Sequence, residues 1–587
     1  MSEHLLVISI GPVQKFISAA RRTRDLWFGS NVLSEISKAA ARSIADNGGQ
    51  MIFPAPGAAS DLNVDSALNV ANVILAELKT SDPKHLADMA QAAAQSCWLA
   101  YAADARRKAG NAVHDDIWKD QVNDVLEFNA AWVKSSGQYK GDRARLMRLL
   151  AGRKQCFDFP PAKGRPGVPK SSLDGLRESV LKKDAPEIGV AAGIHLAAGE
   201  QLDVVGVVKR AAGGNQSYPS VARIAADPWL RGLNDGDRRK LVSGCEELAR
   251  RGRIRVDTNR YPQFTNFPFD GTVCFPSRFA DMEDEGLAKD SLEALRKLIA
   301  SLRSSQSGQS RESEPYLAVL VADGDRVGAA ISAMASPDEH RNFSRQLAVF
   351  SSEAAKKIRE FHGVPIYCGG DDVLALLPVD KVLKCAAALA KAFKETMRQC
   401  KTDGKNLPTL SVGVAIGHFM EPLEDLLGYG RAAEHHAKTP ARADGPQPER
   451  NALAVHLHKR GGGPVHFRGN WEESPQDVLL GLAGSLNDRT LSHRIAADLE
   501  NLARTYDHWP VETCKAAIVK DALATLAAKK PRSGPGGEGL ANLKSLIEKE
   551  IENSVDLRRI ACGILIARQL ASALRQSDKK PEKGGTA

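Results

Sequence analysis

Residues 364–378, VPIYCGGDDVLALLP, constrain this chain more than any other stretch, because a Gly-Gly-Asp-Asp turn sits between two short apolar runs. Runs of this length, rich in branched residues and broken by paired glycines, predict a β-hairpin turning at Gly369 and Gly370. Asp371 and Asp372 then stand at its tip. Adjacent carboxylates repel each other and resist burial, so a fold that sets them beside hydrophobic strands needs open water or a compensating cation. Two Mg²⁺ (or Mn²⁺) ions holding a triphosphate would supply that cation, and the glycines would admit the nucleotide. Glycine and aspartate are also the commonest hairpin residues, so GGDD alone fits a solvated turn equally well.

A second segment favours the metal reading. In YLAVLVADGDRVG (316–328) the apolar run 317–322 predicts a buried strand, after which the spacing becomes helical. Asp323 falls at the strand's carboxyl end, where open α/β sheets bind ligands and where it can face a carboxylate on a neighbouring hairpin. It is the expected metal ligand. Gly324 would let backbone come close to a phosphate or metal. Asp325 reads first as the N-cap of the following helix and second as a further ligand. Helices are expected over 339–361 and 379–400, with strands over 410–416 and 453–457. That order is a βαββαβ palm.

The segments ISIGPVQKFISAARRTRDLWFGS, LAVLVADGDRVG, YCGGDDVLALLP, LSVGVAIGHFMEPL and RNALAVHLHKRGG occur in that order through residue 463. On these the chain resembles the large subunit of type III-B CRISPR effector complexes, the Cmr-type protein that shares its palm with GGDEF nucleotide cyclases. The resemblance implies cyclic oligoadenylate synthesis from ATP, switched on by target RNA in a guide-loaded complex. Asp323, Asp371 and Asp372 would be catalytic. It also implies that Lys438, in the segment before 450, meets the triphosphate, although a cation at a helix C-terminus fits the helix dipole as well.

The opening segment repeats the palm's first unit. HLLVISIGPVQKFISAA aligns with YLAVLVADGDRVGAAISA, placing Gly11 at the position of Asp323 and Val13 at that of Asp325. This copy lacks the carboxylates, so two palms are expected with only the second equipped for metal. By the resemblance, nucleotides lie between the palms, with Gly11 and Gln14 contributing to binding. Arg21, Arg22 and Arg24 can grip phosphate or nucleic acid and Trp27 can stack on a base, unless they form a solvated helix end.

The expected architecture is therefore α/β (α+β). A non-catalytic first palm with a helical insertion occupies 1–150, and a small α/β insert completing that palm occupies 151–300. The GGDD palm follows over 315–470, a helical domain over 471–575 and a mobile tail over 576–587. The polar run SSQSGQSRESE precedes the second palm, and KKPRSGPGGEG reads as a mobile loop. At roughly 150 residues per domain, 587 residues allow about four domains. A net charge of +9 and a pI near 9.0 fit a nucleic-acid-contacting subunit, but 80 basic against 71 acidic residues is a mild excess.

No apolar run reaches membrane length and no signal peptide is evident, so a cytoplasmic protein is expected. Nine cysteines show no CxxC pair, which suits reduced, buried thiols. Relatives often carry a paired-cysteine zinc module between the palms. Here GEQLDVVGVVKR has Asp203 and Gly206 instead, so zinc is not expected. Relatives also carry an N-terminal His-Asp phosphohydrolase; His114-Asp115 lacks further ligands and reads as a surface turn or helix start, and DNA cleavage is not expected. His456 and His458 alternate on one strand face, but with no third ligand in view they read as packing or exposed residues. Two other functions fit the motifs: a free-standing GGDEF-like dinucleotide cyclase, and a catalytically silent scaffold of the same complex.

Overall fold

The structure is a computed structural model. It describes the chain outside residues 1–2, 67, 157–163, 186–193, 195, 197–198, 214–217, 252–260, 285–286, 306–312, 401–406, 440–449, 529–536 and 578–587. Residues 529–536 of the expected mobile loop, 578–587 of the expected tail and the core of the polar run before the second palm lie outside the described residues; residues 537–539 instead open a helix, and Gln576 and Ser577 end one.

Four strands form the first sheet: β1 (Glu3–Gly11), β2 (Gln50–Phe53), β3 (Val73–Lys79) and β4 (Glu127–Lys134). Their order is β2-β3-β1-β4 with every pair antiparallel. This is the ferredoxin-like order of a βαββαβ unit. β1 is apolar on both faces because both are covered. Leu6, Ile8 and Ile10 join the core made with the helices Thr23–Asp46 and Pro83–Ala109. Leu5 and Val7 pack instead with Leu146 and Leu150 of the helix Tyr139–Arg153.

The second sheet contains β5 (Tyr316–Asp325), β6 (Val364–Gly369), β7 (Asp372–Pro378), β8 (Thr409–His418), β9 (Ala452–Leu457) and β10 (Val465–Asn470). It runs β10-β9-β8-β5-β7-β6. Its members β6-β7-β5-β8 repeat the first sheet's order, so the duplication read from the opening segment extends to topology. β9 adds in parallel to β8, and β10 returns antiparallel to β9. The helices Pro337–Glu360 and Val382–Met397 bury Phe343, Phe350 and Phe393 in the core shared with Leu320 and Leu377. On β5, β8 and β9 lies the helix Leu423–Lys438. It comes so close to β8 that a side chain at Gly413 would meet the Glu434 backbone.

The intervening segment corrects one expectation. Among the described residues of 151–300 there are helices, 3-10 turns and isolated bridges, but no strand. The first palm is already complete at Lys134, so the insert is helical and adds nothing to its sheet. The branched run VVGVVKR winds into the helix Val204–Ala211 because Asp203 accepts the Gly206 N–H at 2.8 Å as N-cap. That helix buries itself on Thr23–Asp46 and Pro83–Ala109. Arg210, almost wholly buried, pairs with Asp25 and Glu200. The next helix, Val221–Gly232, reaches the second palm, where Arg231 bonds Asp380 at 2.7 Å. The insert thus braces both palms.

The C-terminal helices, Pro475–Asn487, Ile495–Thr505, Val511–Ala528, Gly537–Glu550 and Ser554–Ser577, share one hydrophobic core with the second palm. The region expected to be helical, 471–575, is so among its described residues, and it packs on the second palm. Direct contacts also join the palms. Tyr139 Oη lies 2.7 Å from His340 Nδ1, the Ala55 N–H donates to Ser344 Oγ at 3.0 Å, and Asn69 donates to the Cys368 carbonyl at 2.9 Å. All nine cysteines are free and six are buried. Among the described residues no helix is long and apolar enough to cross a membrane.

Candidate metal and nucleotide site

The hairpin forms as expected. β6 pairs β7 in register Gly369 to Asp372, and Gly370 takes the positive φ of 66° that the tight turn requires. The turn lays Asp371 over the end of β5. Asp323, Asp371 and Asp372 each offer a carboxylate oxygen, and these oxygens lie within 4.8 Å of one another. Asp323 and Asp371 are half-buried and Asp372 is exposed. Gly324 permits the approach: a Cβ there would lie 2.7 Å from Asp371 Cβ and 2.6 Å from Val327 Cγ2. The glycine expected to admit a phosphate admits a carboxylate.

The electrostatics are those of acids short of cations. Burial pushes the Asp371 carboxyl up to about 6. Burial, with the negative charges of Asp371 and Glu434, pushes Asp372 up to about 7, although the residue as a whole is exposed. Burial and Asp325 raise Glu434 to about 7. One cation serves the cluster from the helix Leu423–Lys438: Lys438 pairs with Asp323 and stands 2.7 Å from Glu434. Burial and the nearby Arg450 pull Lys438 down to about 8, which still leaves it charged at neutral pH. Three oxygen donors match hard divalent cations such as Mg²⁺ rather than thiophilic ones.

Other expected site residues are placed differently. Asp325 neither caps the next helix nor joins the cluster. β5 runs on to include it, and its buried carboxylate accepts from Thr409 Oγ1 and Ser411 Oγ, both at 2.8 Å, and from the Asn451 N–H at 2.9 Å. It ties β5 to β8 and to the entry of β9. The N-cap position of the helix Val327–Ala333 is taken by Arg326.

The arginine cluster is also corrected. Arg24 is spent on the carbonyls of Arg210 and Ala212, and Arg21 donates to the Ser172 carbonyl at 3.2 Å. Both fasten the insert to the first palm. Arg22 opens the helix Thr23–Asp46 at its N-cap position, and Trp27 stacks on Tyr218 with centroids 4.7 Å apart. Gly11 ends β1 beside Glu127, and Gln14 is exposed at the start of the helix Gln14–Ser18. Both stand on the first palm, while the three carboxylates stand on the second. His114 sits at the N-cap position of the helix Asp115–Val122, and Asp115 pairs with Arg106.

Sequence reasoning missed Glu434. Its signal was the i, i+4 spacing to Lys438, which puts both side chains on one helix face.

Comparison with known proteins agrees with this geometry. Residues 316–454 match the family model described as Cas10/Cmr2, second palm domain, and residues 5–116 match CRISPR-associated protein Cmr2, N-terminal. The CRISPR system Cmr subunit Cmr2 of Pyrococcus furiosus is 30% identical over 230 residues, covering 33% of this chain and 24% of that protein. The chain thus spans about a quarter of that relative's length. Among solved structures, a type III-B Cmr-beta complex in its apo state aligns with a TM-score of 0.64 over 91% of this chain and 78% of that one, at 14% identity. Type III-B Cmr-beta bound to cognate target RNA aligns with a TM-score of 0.62 over 93% and 83%, also at 14% identity. Identity this low speaks for the fold alone. Both matched regions occur in order along one chain, on a fold with two palms, so the chain is similar to Cas10/Cmr2 proteins over residues 5–116 and 316–454.

Proposed function

We propose that the second palm is a nucleotidyltransferase that joins ATP into cyclic oligoadenylates, and that the chain acts as the large subunit of a type III-B RNA-guided antiviral complex. Target RNA paired to the guide would switch the reaction on. The observation that carries this reading is the convergence of Asp323, Asp371 and Asp372 within 4.8 Å at the hairpin tip. The net charge of +9 supports contact with guide and target RNA.

In each joining step the 3′-hydroxyl oxygen of one adenylate attacks the α-phosphorus of the next ATP, the hydroxyl proton passes to water and pyrophosphate leaves; in the last step the terminal 3′-hydroxyl attacks the α-phosphorus of its own chain's 5′-triphosphate in the same way and closes the ring. Two bound Mg²⁺ or Mn²⁺ ions would lower the pKa of that hydroxyl and neutralise charge on the α-phosphate and pyrophosphate. Asp323, Asp371 and Asp372 would hold them. The chain's own groups do the rest. Gly324 fixes the hairpin tip against β5, and Gly370 faces open space where a nucleotide can approach, whereas the Tyr367 ring covers Gly369. Lys438, now shared between Asp323 and Glu434, is placed to exchange a carboxylate for a phosphate oxygen. The first palm would supply the opposite wall, with Gly11 and Gln14 at the end of β1.

The test is to incubate the assembled complex with target RNA, Mg²⁺ and labelled ATP and to resolve products by mass. Cyclic oligoadenylates are expected from the wild type and none from the Asp371→Ala/Asp372→Ala variant. Turnover of GTP by the isolated chain without RNA would instead identify a free-standing dinucleotide cyclase. No metal-dependent turnover at all would leave a scaffold.

A further inference from the structure

β9 carries His456, and His458 follows its last residue; the sequence offered these two histidines and no third. The fold brings one from each side. His466 of β10 is the direct cross-strand partner of His456, and the two rings stack with centroids 3.9 Å apart. From the helix Leu423–Lys438, His436 brings its Nδ1 to 3.0 Å from His456 Nε2. The His436 ring centroid lies 5.2 Å from that of His456 and 5.9 Å from that of His466.

This separation of nitrogens is close to that of a metal site. Two imidazole nitrogens on one tetrahedral Zn²⁺, each at about 2.0–2.1 Å, stand about 3.3 Å apart. At present these two nitrogens share a hydrogen bond, which a metal would replace, and His466 must turn its ring off the His456 stack to aim a nitrogen at the same point. It is exposed, so the turn displaces no core. The imidazoles are also in the ligating form. Burial holds His456 down to about 3 and His436 down to about 4, and lowers His466 as well, so all three are neutral at pH 7.

We propose that His436, His456 and His466 form a binding site for a borderline-soft transition-metal dication such as Zn²⁺, with water completing the tetrahedron. The donors are nitrogens, unlike the three carboxylates of the acid cluster, so the two sites sort metals by hardness. The lost cysteine pair between the palms, which argued against zinc, is elsewhere in the fold. His436 lies two residues from both Glu434 and Lys438. A metal here would pin the last turn of their helix to β9 and β10. The inference does not depend on the proposed cyclase activity.

The test uses the full chain stripped with a chelator, then titrated with Zn²⁺ by calorimetry and with Co²⁺ by visible absorption, which reports tetrahedral nitrogen ligation. An Asp371→Asn/Asp372→Asn background removes the acid cluster's contribution. We expect one equivalent of Zn²⁺ in both wild type and that background, weakened at least about 100-fold by His466→Ala and by His436→Ala. His466→Ala changes an exposed side chain and keeps the fold, which circular dichroism verifies. The proposal is overturned by absence of a Zn²⁺ equivalent in the wild type, by binding that both histidine variants leave intact, or by binding that disappears with the aspartates.

Discussion

Gly324 and Asp371 interlock: the hairpin tip rests on the bare α-carbon of Gly324, and a methyl group there would lie 2.7 Å from Asp371 Cβ and 3.0 Å from its Oδ2. Val327 Cγ2, at 2.6 Å, closes the other side. Gly324→Ala must therefore push Asp371 away from Asp323. A displacement near 1 Å in a site of this kind costs roughly 100-fold in turnover. We expect that loss in labelled-ATP assays of the assembled complex, with the far-ultraviolet circular dichroism of the chain unchanged. Wild-type turnover in the alanine variant would show that the tip does not need its present seat.

The acid cluster also predicts a response to metal that needs no catalysis. Among the described residues one lysine pairs with this cluster of three carboxylates, and a cation that binds the folded chain raises its stability by linkage. Adding Mg²⁺ at about 100 times its Kd should stabilise the chain by about 2.7 kcal/mol, read as a rise in Tm. With Asp323→Asn and Asp371→Asn together the rise should vanish, while the metal-free variant melts at or above the wild-type temperature because repulsion is relieved. A metal-independent Tm in the wild type would contradict the assignment.

Asp323, Asp371 and Asp372 were legible because their placement follows from local pattern: the end of an apolar run and a glycine turn. The alternation of strands and helices likewise foretold the second palm, and the repeat of its first unit in the opening segment foretold the first. Asp325 was misread because its partners Thr409, Ser411 and Asn451 lie 84, 86 and 126 residues along the chain, and nothing in DGDRVG announces them. Arg24 failed for the same reason, its carbonyl partners being 186 and 188 residues away. β10 was missed although VHFRGN alternates apolar and polar residues as a half-buried strand does, because the glycine run before it reads as a loop.

His340 predicts a dependence of stability on pH. It sits at the contact between palms, with Tyr139 Oη on its Nδ1, and burial with the nearby Arg143 and Arg341 lowers its pKa to about 4. A folded-state value below the unfolded 6.5 means that the unfolded chain takes up the proton first. This contribution is fully present above pH 6.5 and is lost as the pH falls towards 4. The loss is on the order of 3 kcal/mol for a group 3% exposed. Urea unfolding from pH 7 to pH 4.5 should show a shallower decline in His340→Gln than in the wild type. Parallel declines would place the titration elsewhere.

Arg210 supplies the last prediction. Its guanidinium is gripped on both edges: Nε and Nη2 donate to Asp25 at 2.7–3.0 Å, and Nη1 and Nη2 donate to Glu200 at 3.0 and 2.9 Å. All three residues are nearly fully buried. Removing the arginine takes away the guanidinium that bridges two buried carboxylates, and breaking a buried pair in this way costs about 3–5 kcal/mol. Replacing the whole triad with apolar residues of similar volume should cost far less, because the desolvation of all three charges is then avoided. Denaturant midpoints of Arg210→Met and of the Arg210→Met/Asp25→Leu/Glu200→Leu triple variant separate the two effects. A single variant as stable as the triple one would mean that Asp25 and Glu200 find other partners, and that Arg21, Arg24 and apolar packing suffice to fasten the insert to the first palm.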